Sequence, residues 1–338
     1  MDATSEGPWA VVLAAGEGTR MASLIRGLYG WDLPKQFATL VGDRTMLQLT
    51  MERIAPVAPP ERTVVVVDDS HESLARDQLG DYPEVQIVLQ PGNRGTGPGV
   101  LLPLAHIRAR APDARVVIFP ADHHVRRPEA FVDAVVRAVA VTEEEPSRLA
   151  LVGATAESPA TDLGWIVPTS PSRTTPMGGV AVERFVEKPP EDEASRLMEQ
   201  GGLWNTIVLA AHVGTLWRVL ASCLPEQTRA IEHYARRIDQ PDARRLLADA
   251  YSDMCAADLS KAVLENACGL SMVPMVNAGW SDCGTPKRLL ECIDGSEALR
   301  LGARLRQAPH AVKDSGGVAG APIVQLGGPT GRARMRAN

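Results

Sequence analysis

The stretch from Trp9 to Gly42 restricts the folds open to this chain more than any other. Ala10 to Ala15 is an unbroken apolar run, the pattern of a strand buried on both faces of a parallel sheet. It stops at Gly16-Glu17-Gly18-Thr19-Arg20. Glycines let main-chain N–H groups come close to an oxyanion, and the forked arginine cation suits phosphate. Leu33-Pro34-Lys35-Gln36-Phe37 then supplies a second cation, close to the same loop if the chain doubles back. A dinucleotide fingerprint would need a third glycine where Met21 stands, and a Walker loop would need Gly-Lys-Ser/Thr, which is absent. A phosphate loop of another kind and an ordinary strand-to-helix turn both remain open.

The following segments alternate between strand and helix. Thr45 opens a helix with a capping-box pattern whose apolar face is Leu47, Met51 and Ile54. Arg62 to Val67, Val85 to Leu89 and Arg115 to Phe119 read as strands, with helices over 70–79, from Val100 to Arg110 (where Pro103 should distort it) and over 128–141. That order predicts an α/β layer with a mostly parallel sheet. Asp122, at the end of the fourth strand, is either a cap or a hard-metal ligand. His123 and His124 read as neighbours of the site, because adjacent residues on extended chain point apart. From Leu149 strand-like pieces alternate with Pro/Ser/Thr/Gly loops, which suggests an antiparallel extension. Residues 213–250 read as helical outer packing, Asp258 to Glu265 as a further capped helix, and Ser271 to Val276 as a strand. Thr285 and Pro286 announce a helix with Leu289, Leu290 and Ile293 as its apolar positions.

Several separated motifs together resemble the sugar-1-phosphate nucleotidylyltransferases. They are Leu13-Ala14-Ala15-Gly16-x-Gly18-Thr19-Arg20, Pro34-Lys35-Gln36-Phe37, Gln90 to Pro98, Phe119-Pro120-Ala121-Asp122-His123, Asp162-Leu163-Gly164-Trp165, Phe185-Val186-Glu187-Lys188-Pro189, Trp204-Asn205-Thr206, and Trp280-Ser281-Asp282-Cys283-Gly284. Pro-Lys-Gln-Phe looks most like the mannose-1-phosphate guanylyltransferase (GDP-mannose pyrophosphorylase) branch. The resemblance spans roughly residues 9 to 295. It implies a Rossmann-like, GT-A-like three-layer α/β sandwich with a mixed, mostly parallel central sheet and a small antiparallel extension. One catalytic domain over 1–303 would hold a nucleotide half over about 9–145 and a sugar-phosphate half over about 146–300.

The same resemblance implies the chemistry. A nucleotidyl group passes from a nucleoside triphosphate (GTP) to a sugar 1-phosphate (mannose 1-phosphate), with release of pyrophosphate. Arg20 and Lys35 would be catalytic. Ala14, Ala15, Gly16, Gly18, Thr19, Gln90, Asn93, Gly95 and Thr96 would bind nucleotide. Gly164, Glu187, Lys188 and Asn205 would bind the sugar phosphate, and Asp122 and Asp282 would hold Mg2+. Glucose 1-phosphate with UTP or dTTP is an alternative pair, and a non-catalytic, nucleotide-sugar-binding regulatory homologue is an alternative class. After the glycine loop the family usually has Arg-Leu-Trp-Pro-Leu. This chain has Arg20-Met21-Ala22-Ser23-Leu24, and a longer connection to Pro34.

Composition removes other classes. A net charge of −6 and the absence of a basic tract before the last few residues argue against a nucleic-acid partner. No apolar run approaches the roughly 20 residues of a membrane span, and the acidic start lacks the basic opening of a signal peptide. The five cysteines form no Cys-x-x-Cys pair, so buried free thiols in a reducing cytoplasm are expected. The residues from Arg304 onward are Gly-, Pro- and Arg-rich and predict a disordered tail over 304–338. A homo-oligomer is left open.

Overall fold

The computed structural model describes residues 7–170 and 173–307. Its strands are β1 Trp9–Leu13, β2 Thr63–Asp68, β3 Gln86–Gln90, β4 Arg115–Pro120, β5 His124–Val125, β6 Leu149–Thr155, β7 Gly164–Pro168, β8 Val180–Glu187, β9 Leu203–His212, β10 Leu270–Met275 and β11 Trp280–Ser281. Its helices are α1 Ala22–Tyr29, α2 Met46–Ile54, α3 Glu72–Gln78, α4 Thr96–Arg110, α5 Pro128–Glu144, α6 Glu191–Glu199, α7 Val213–Cys223, α8 Pro225–Ala235, α9 Ala243–Asp253, α10 Pro286–Cys292 and α11 Gly295–Gln307. None of the described helices is long and apolar enough to cross a membrane.

Side-chain alternation along the strands sorts the core into two layers. Ala10, Val12, Val65, Val67, Val117 and Phe119 face α2 and α5, whereas Val11, Val64, Val66, Val116 and Ile118 face α4 and α7. Each fully buried Val or Phe removes enough apolar surface to contribute about 1.5–3 kcal/mol, so a one-residue slip in register would be costly. The helices therefore cover both faces of one sheet, the three-layer arrangement expected. Its order is β3-β2-β1-β4-β9-β6-β10-β8-β7, parallel through β3-β2-β1-β4 and between β6 and β10. The other ladders are antiparallel, so the sheet is more evenly mixed than the sequence suggested. The antiparallel extension is continuous with this sheet. Because β7 also pairs with β9, the strands β9, β6, β10, β8 and β7 close into a ring.

Local chemistry explains most element starts. Thr45 accepts from the Gln48 N–H while Gln48 accepts from the Thr45 N–H, a complete capping box on α2. Thr285 accepts from the Arg288 N–H, with Pro286 in the first turn of α10. The longer connection after Arg20 folds as α1, closed by Gly30, whose N–H reaches the Arg26 carbonyl.

Five expectations need correction. The helix anticipated over 258–265 is only a π-turn, Ser260–Leu264, although Asp258 does cap it by accepting from the Lys261 N–H. Leu290 is 54% exposed, because the short α10 turns Leu289 and Cys292 inward and leaves Leu290 on the opposite face. Pro103 sits inside an unbroken, largely buried α4. Cys255 and Cys268 are exposed, while Cys283 and Cys292 are buried with their sulfurs 3.6 Å apart. The boundary at residue 304 also moves, since α11 continues to Gln307. Arg304 ties it to the body, donating to the Thr39 carbonyl at 2.7 Å and lying over the Tyr29 ring. The rest of the expected tail, 308–338, lies outside the described residues.

Candidate functional site

Open parallel sheets bind ligands beyond the carboxyl ends of their strands, and this is where the singled-out residues gather. The loop after β1 is fixed from beneath by Gln36, whose amide donates to the carbonyls of Ala14 (2.7 Å) and Gly16 (2.9 Å). Gly18, at φ +60°, abuts the Lys35 stem, a contact that a Cβ would obstruct. Among the described residues the N–H groups of Gly16, Glu17 and Gly18 have no hydrogen-bond acceptor, so they are available to an anion. Thr19 begins a short 3-10 turn, and beside the loop Ala14 is buried, with Ala15 partly so.

Lys35 is the centre of the polar corner. It is 4% exposed, yet its ammonium contacts Asp122 Oδ2 at 2.7 Å and donates to the Asp282 carbonyl at 2.6 Å. The two-stranded ladder explains why two distant aspartates meet: β11 pairs with β5 so that Ser281 faces His124. Burial alone would raise the Asp122 carboxyl. Lys35 and His123 outweigh it, and the group is held below its ordinary range. Asp282 behaves likewise: burial opposes ionisation, while His123, Arg288 and the Gly284 N–H lower its pKa on balance. His123 is pushed down to about 4, chiefly by burial, so at neutral pH it is an uncharged neighbour. Arg53 braces the turn from behind, donating to the His123 carbonyl at 3.2 Å, and burial lowers it to about 10.

Arg20 reaches the same corner, 3.7 Å from Asp282 Oδ2, and also donates to Asp162 at 3.2 Å. The residues expected to bind the sugar phosphate lie across the loop between β6 and β7. Lys188 donates its N–H to the Leu163 carbonyl, and its ammonium contacts Glu187 at 3.0 Å. Gly164 packs against the Glu187 carboxylate and the Phe185 ring. Asn205 accepts from the Ile207 N–H and reaches Ser260 Oγ at 3.5 Å. Burial raises the Glu187 carboxyl despite Lys188. The rings of Trp165, Trp204, Trp280 and His123, each edge-on or tilted to the next, link this half to the carboxylate corner.

The loop after β3 completes the outline. Asn93 Oδ1 accepts from the Gly95 N–H, and its side-chain amide donates to Glu17 at 3.4 Å, which draws this loop toward the glycine loop. Gln90 donates to the Gly92 carbonyl, while its own side-chain oxygen is buried without a partner among the described residues. Thr96 uses its hydroxyl on Asp258 and on the Leu259 N–H. Gly95, at φ +83°, lies so close to the Ala257 carbonyl that an added Cβ would meet its oxygen at 2.5 Å. Among the described residues, the non-glycine residues with positive φ are Lys188, Ile207, Asn277 and Cys283, of which Lys188 adjoins Glu187 and Cys283 adjoins Asp282. Such conformations cost about 1–3 kcal/mol each and persist where surrounding contacts enforce them.

Sequence reading missed Gln36, Asp162, Ser260 and Arg288. The first two stood inside quoted motifs without a role. Arg288 gave no signal, because its acidic partner Asp162 is 126 residues away.

The family model for nucleotidyl transferase matches residues 9–298. The xanthan biosynthesis protein XanB of Xanthomonas campestris pv. campestris (strain B100) is 32% identical over 286 residues, which cover 83% of this chain and 58% of that protein. Mannose-1-phosphate guanylyltransferase ManC of Salmonella typhimurium is 32% identical over 292 residues, with the same coverage of 83% and 58%. The chain thus spans less than two thirds of the length of these relatives. A crystal structure described as mannose-1-phosphate geranyltransferase from Thermus thermophilus matches with a TM-score of 0.71 at 29% identity, over 82% of this chain and 76% of that one.

Proposed function

The chain belongs to the nucleotidyl transferase family, and on that premise we propose that it transfers a nucleotidyl group from GTP to mannose 1-phosphate, releasing pyrophosphate. One observation carries the reading: a nearly buried Lys35 joins Asp122 to the Asp282 backbone, directly beneath a glycine loop with free N–H groups. The base and sugar rest on the relatives named as guanylyltransferases and on the Pro34-Lys35-Gln36-Phe37 motif.

The nucleophile is a phosphate oxygen that is already an anion, so no general base is required. The task is to bring two multiply charged molecules into line while offsetting their repulsion. The N–H groups of Gly16 to Gly18 and the cations Arg20 and Lys35 face the triphosphate. Lys188 faces the phosphate of the sugar, while Glu187 and Asn205 hold its hydroxyls. Asp122 and Asp282 suit Mg2+, which prefers carboxylate and phosphate oxygens. Asp122 Oδ1 makes no hydrogen bond to a described residue, and the uncharged His123 lies 3.8 Å from it. When bound, the metal would supply charge neutralisation at the phosphates. The five cysteines are unpaired, as a reducing cytoplasm would keep them.

The test is pyrophosphate release measured across a matrix of nucleoside triphosphates and sugar 1-phosphates. GTP with mannose 1-phosphate should give the largest kcat/KM. Asp122→Asn should lower kcat by on the order of a hundredfold, about 3 kcal/mol of transition-state stabilisation, with the fold retained. Unchanged turnover in that variant would refute the metal role.

A further inference from the structure

Four side chains form a closed ring at the mouth of the site. Arg20 Nη1 donates to Asp162 Oδ2 at 3.2 Å, and Arg20 Nη2 lies 3.7 Å from Asp282 Oδ2. Arg288 Nη1 donates to Asp282 Oδ1 at 3.0 Å, and Arg288 Nη2 donates to Asp162 Oδ1. Each guanidinium spans both carboxylates, and each carboxylate is shared by both guanidiniums. The two aspartates are nonetheless unlike. Asp282 is nearly buried and also accepts from the Gly284 N–H. Asp162 is 39% exposed, and the two arginines are its only hydrogen-bond partners among the described residues.

Two forked cations converging on one exposed carboxylate present the donor geometry that a phosphate group matches with more charge and more acceptor oxygens. We propose that Arg288 is a phosphate-binding residue beside Arg20, and that Asp162 is a carboxylate stand-in which a phosphate of the nucleotide displaces. The inference rests on the nucleotidyl-transfer reading above and assigns that reading a further cation. It also joins the two halves of the site. The loop that carries Asp162 continues directly into Leu163, which holds Lys188, and Gly164, which lies against Glu187. Displacing Asp162 therefore acts on the residue that leads directly into the Leu163–Lys188 and Gly164–Glu187 contacts.

The test is calorimetric binding of GTP and of inorganic tripolyphosphate to the full chain in magnesium-free buffer, with a melting curve for each variant. Tripolyphosphate has no base, so it reports on the cations whatever base is preferred. Asp162→Asn removes the competing anion and should tighten both probes by about threefold to tenfold, the scale of exposed ion pairs and charge-assisted hydrogen bonds. Arg288→Gln should weaken both by on the order of tenfold. Should Arg288→Gln melt early, Arg288→Lys keeps the charge without the fork and should weaken both by a smaller factor. A ring that merely braced the fold would show no tightening in Asp162→Asn, and that result overturns the proposal. So does unchanged affinity in the folded arginine variant. A wild-type chain that binds neither probe defeats the nucleotidyl-transfer reading and this proposal with it, whereas wild-type binding with unmoved variants defeats the ring alone.

Discussion

The polar corner around Lys35 and the loop after β3 lie at the same edge of the sheet but are built in opposite ways. The corner is assembled from side chains: Lys35 on Asp122, and Arg20 and Arg288 on Asp282. The loop leans on close backbone packing, with the Asn93 and Thr96 side chains beside it. Ala257 donates its N–H to the Arg94 carbonyl and accepts from the Gly97 N–H, both at 2.9 Å, and Gly95 sits hard against it. Charge can be weakened one group at a time, whereas a backbone fit fails when any atom is added. The Lys35–Asp122 pair should therefore govern turnover, while the loop, together with the Arg20 and Arg288 forks, should govern affinity.

Lys35→Met should have the largest effect on this contrast. It leaves Asp122 without its close cation and two carbonyls without a donor, in a place that water reaches poorly. Breaking a buried pair from one side costs about 3–5 kcal/mol, and the partial exposure of Asp122 favours the low end. Urea midpoints should fall accordingly, and kcat should drop by more than in Asp122→Asn. A variant with normal stability would show that the corner is held together by something other than this lysine.

The same contrast explains what the sequence made legible. Lys35, Asp122 and Asp282 were readable only through the motifs that carry them, which resemble those of a known family; taken alone, Asp122 reads as a cap and Asp282 as a turn residue. Their meeting required the β5–β11 ladder, which consists of two short strands with no pattern of their own. Arg288 was invisible because an arginine on a helix face reads as solvated, and nothing local distinguishes one that reaches Asp162 across the cleft. The two-layer core followed from valine-rich strands, whose neighbours differ little between candidate registers except in burial. The ring of β9, β6, β10, β8 and β7 did not, since it depends on β9 pairing at its start with β7 and further along with β4. The same limit applies to the π-turn at Ser260, where a good capping residue predicts the start of a helix but not its pitch.

Gly95→Ala is the intermediate case and tests the loop. The new methyl must move the Ala257 carbonyl, and the residue must also hold φ near +83°. Together these should cost about 1–3 kcal/mol locally. The expected signature is a raised KM for the triphosphate with kcat largely kept, the reverse of the lysine variant. Equal losses in kcat and kcat/KM would place the loop in the chemistry instead and erase the distinction between the two regions.

The smallest effect belongs to Glu187→Gln, where affinity and stability should move in opposite directions. Burial raises the folded-state pKa of Glu187 above its ordinary value of 4.5, so the ionised form is less favourable in the folded protein than in the unfolded chain. Stability from this group is present below pH 4.5, declines as pH rises through the folded-state pKa, and is absent above it. Glutamine keeps the shape and removes that penalty. At pH 7 the variant should unfold at a slightly higher urea concentration than wild type, by less than the loss seen at Lys35, and the gain should vanish near pH 4. The carboxylate proposed to hold a sugar hydroxyl is gone, so KM for the sugar 1-phosphate should rise at the same time. A variant that is destabilised at pH 7 would mean that the contacts to Lys188 and Ser260 outweigh burial. In that event the sugar side would resemble the Lys35 corner, with its charges serving the fold as well as the substrate.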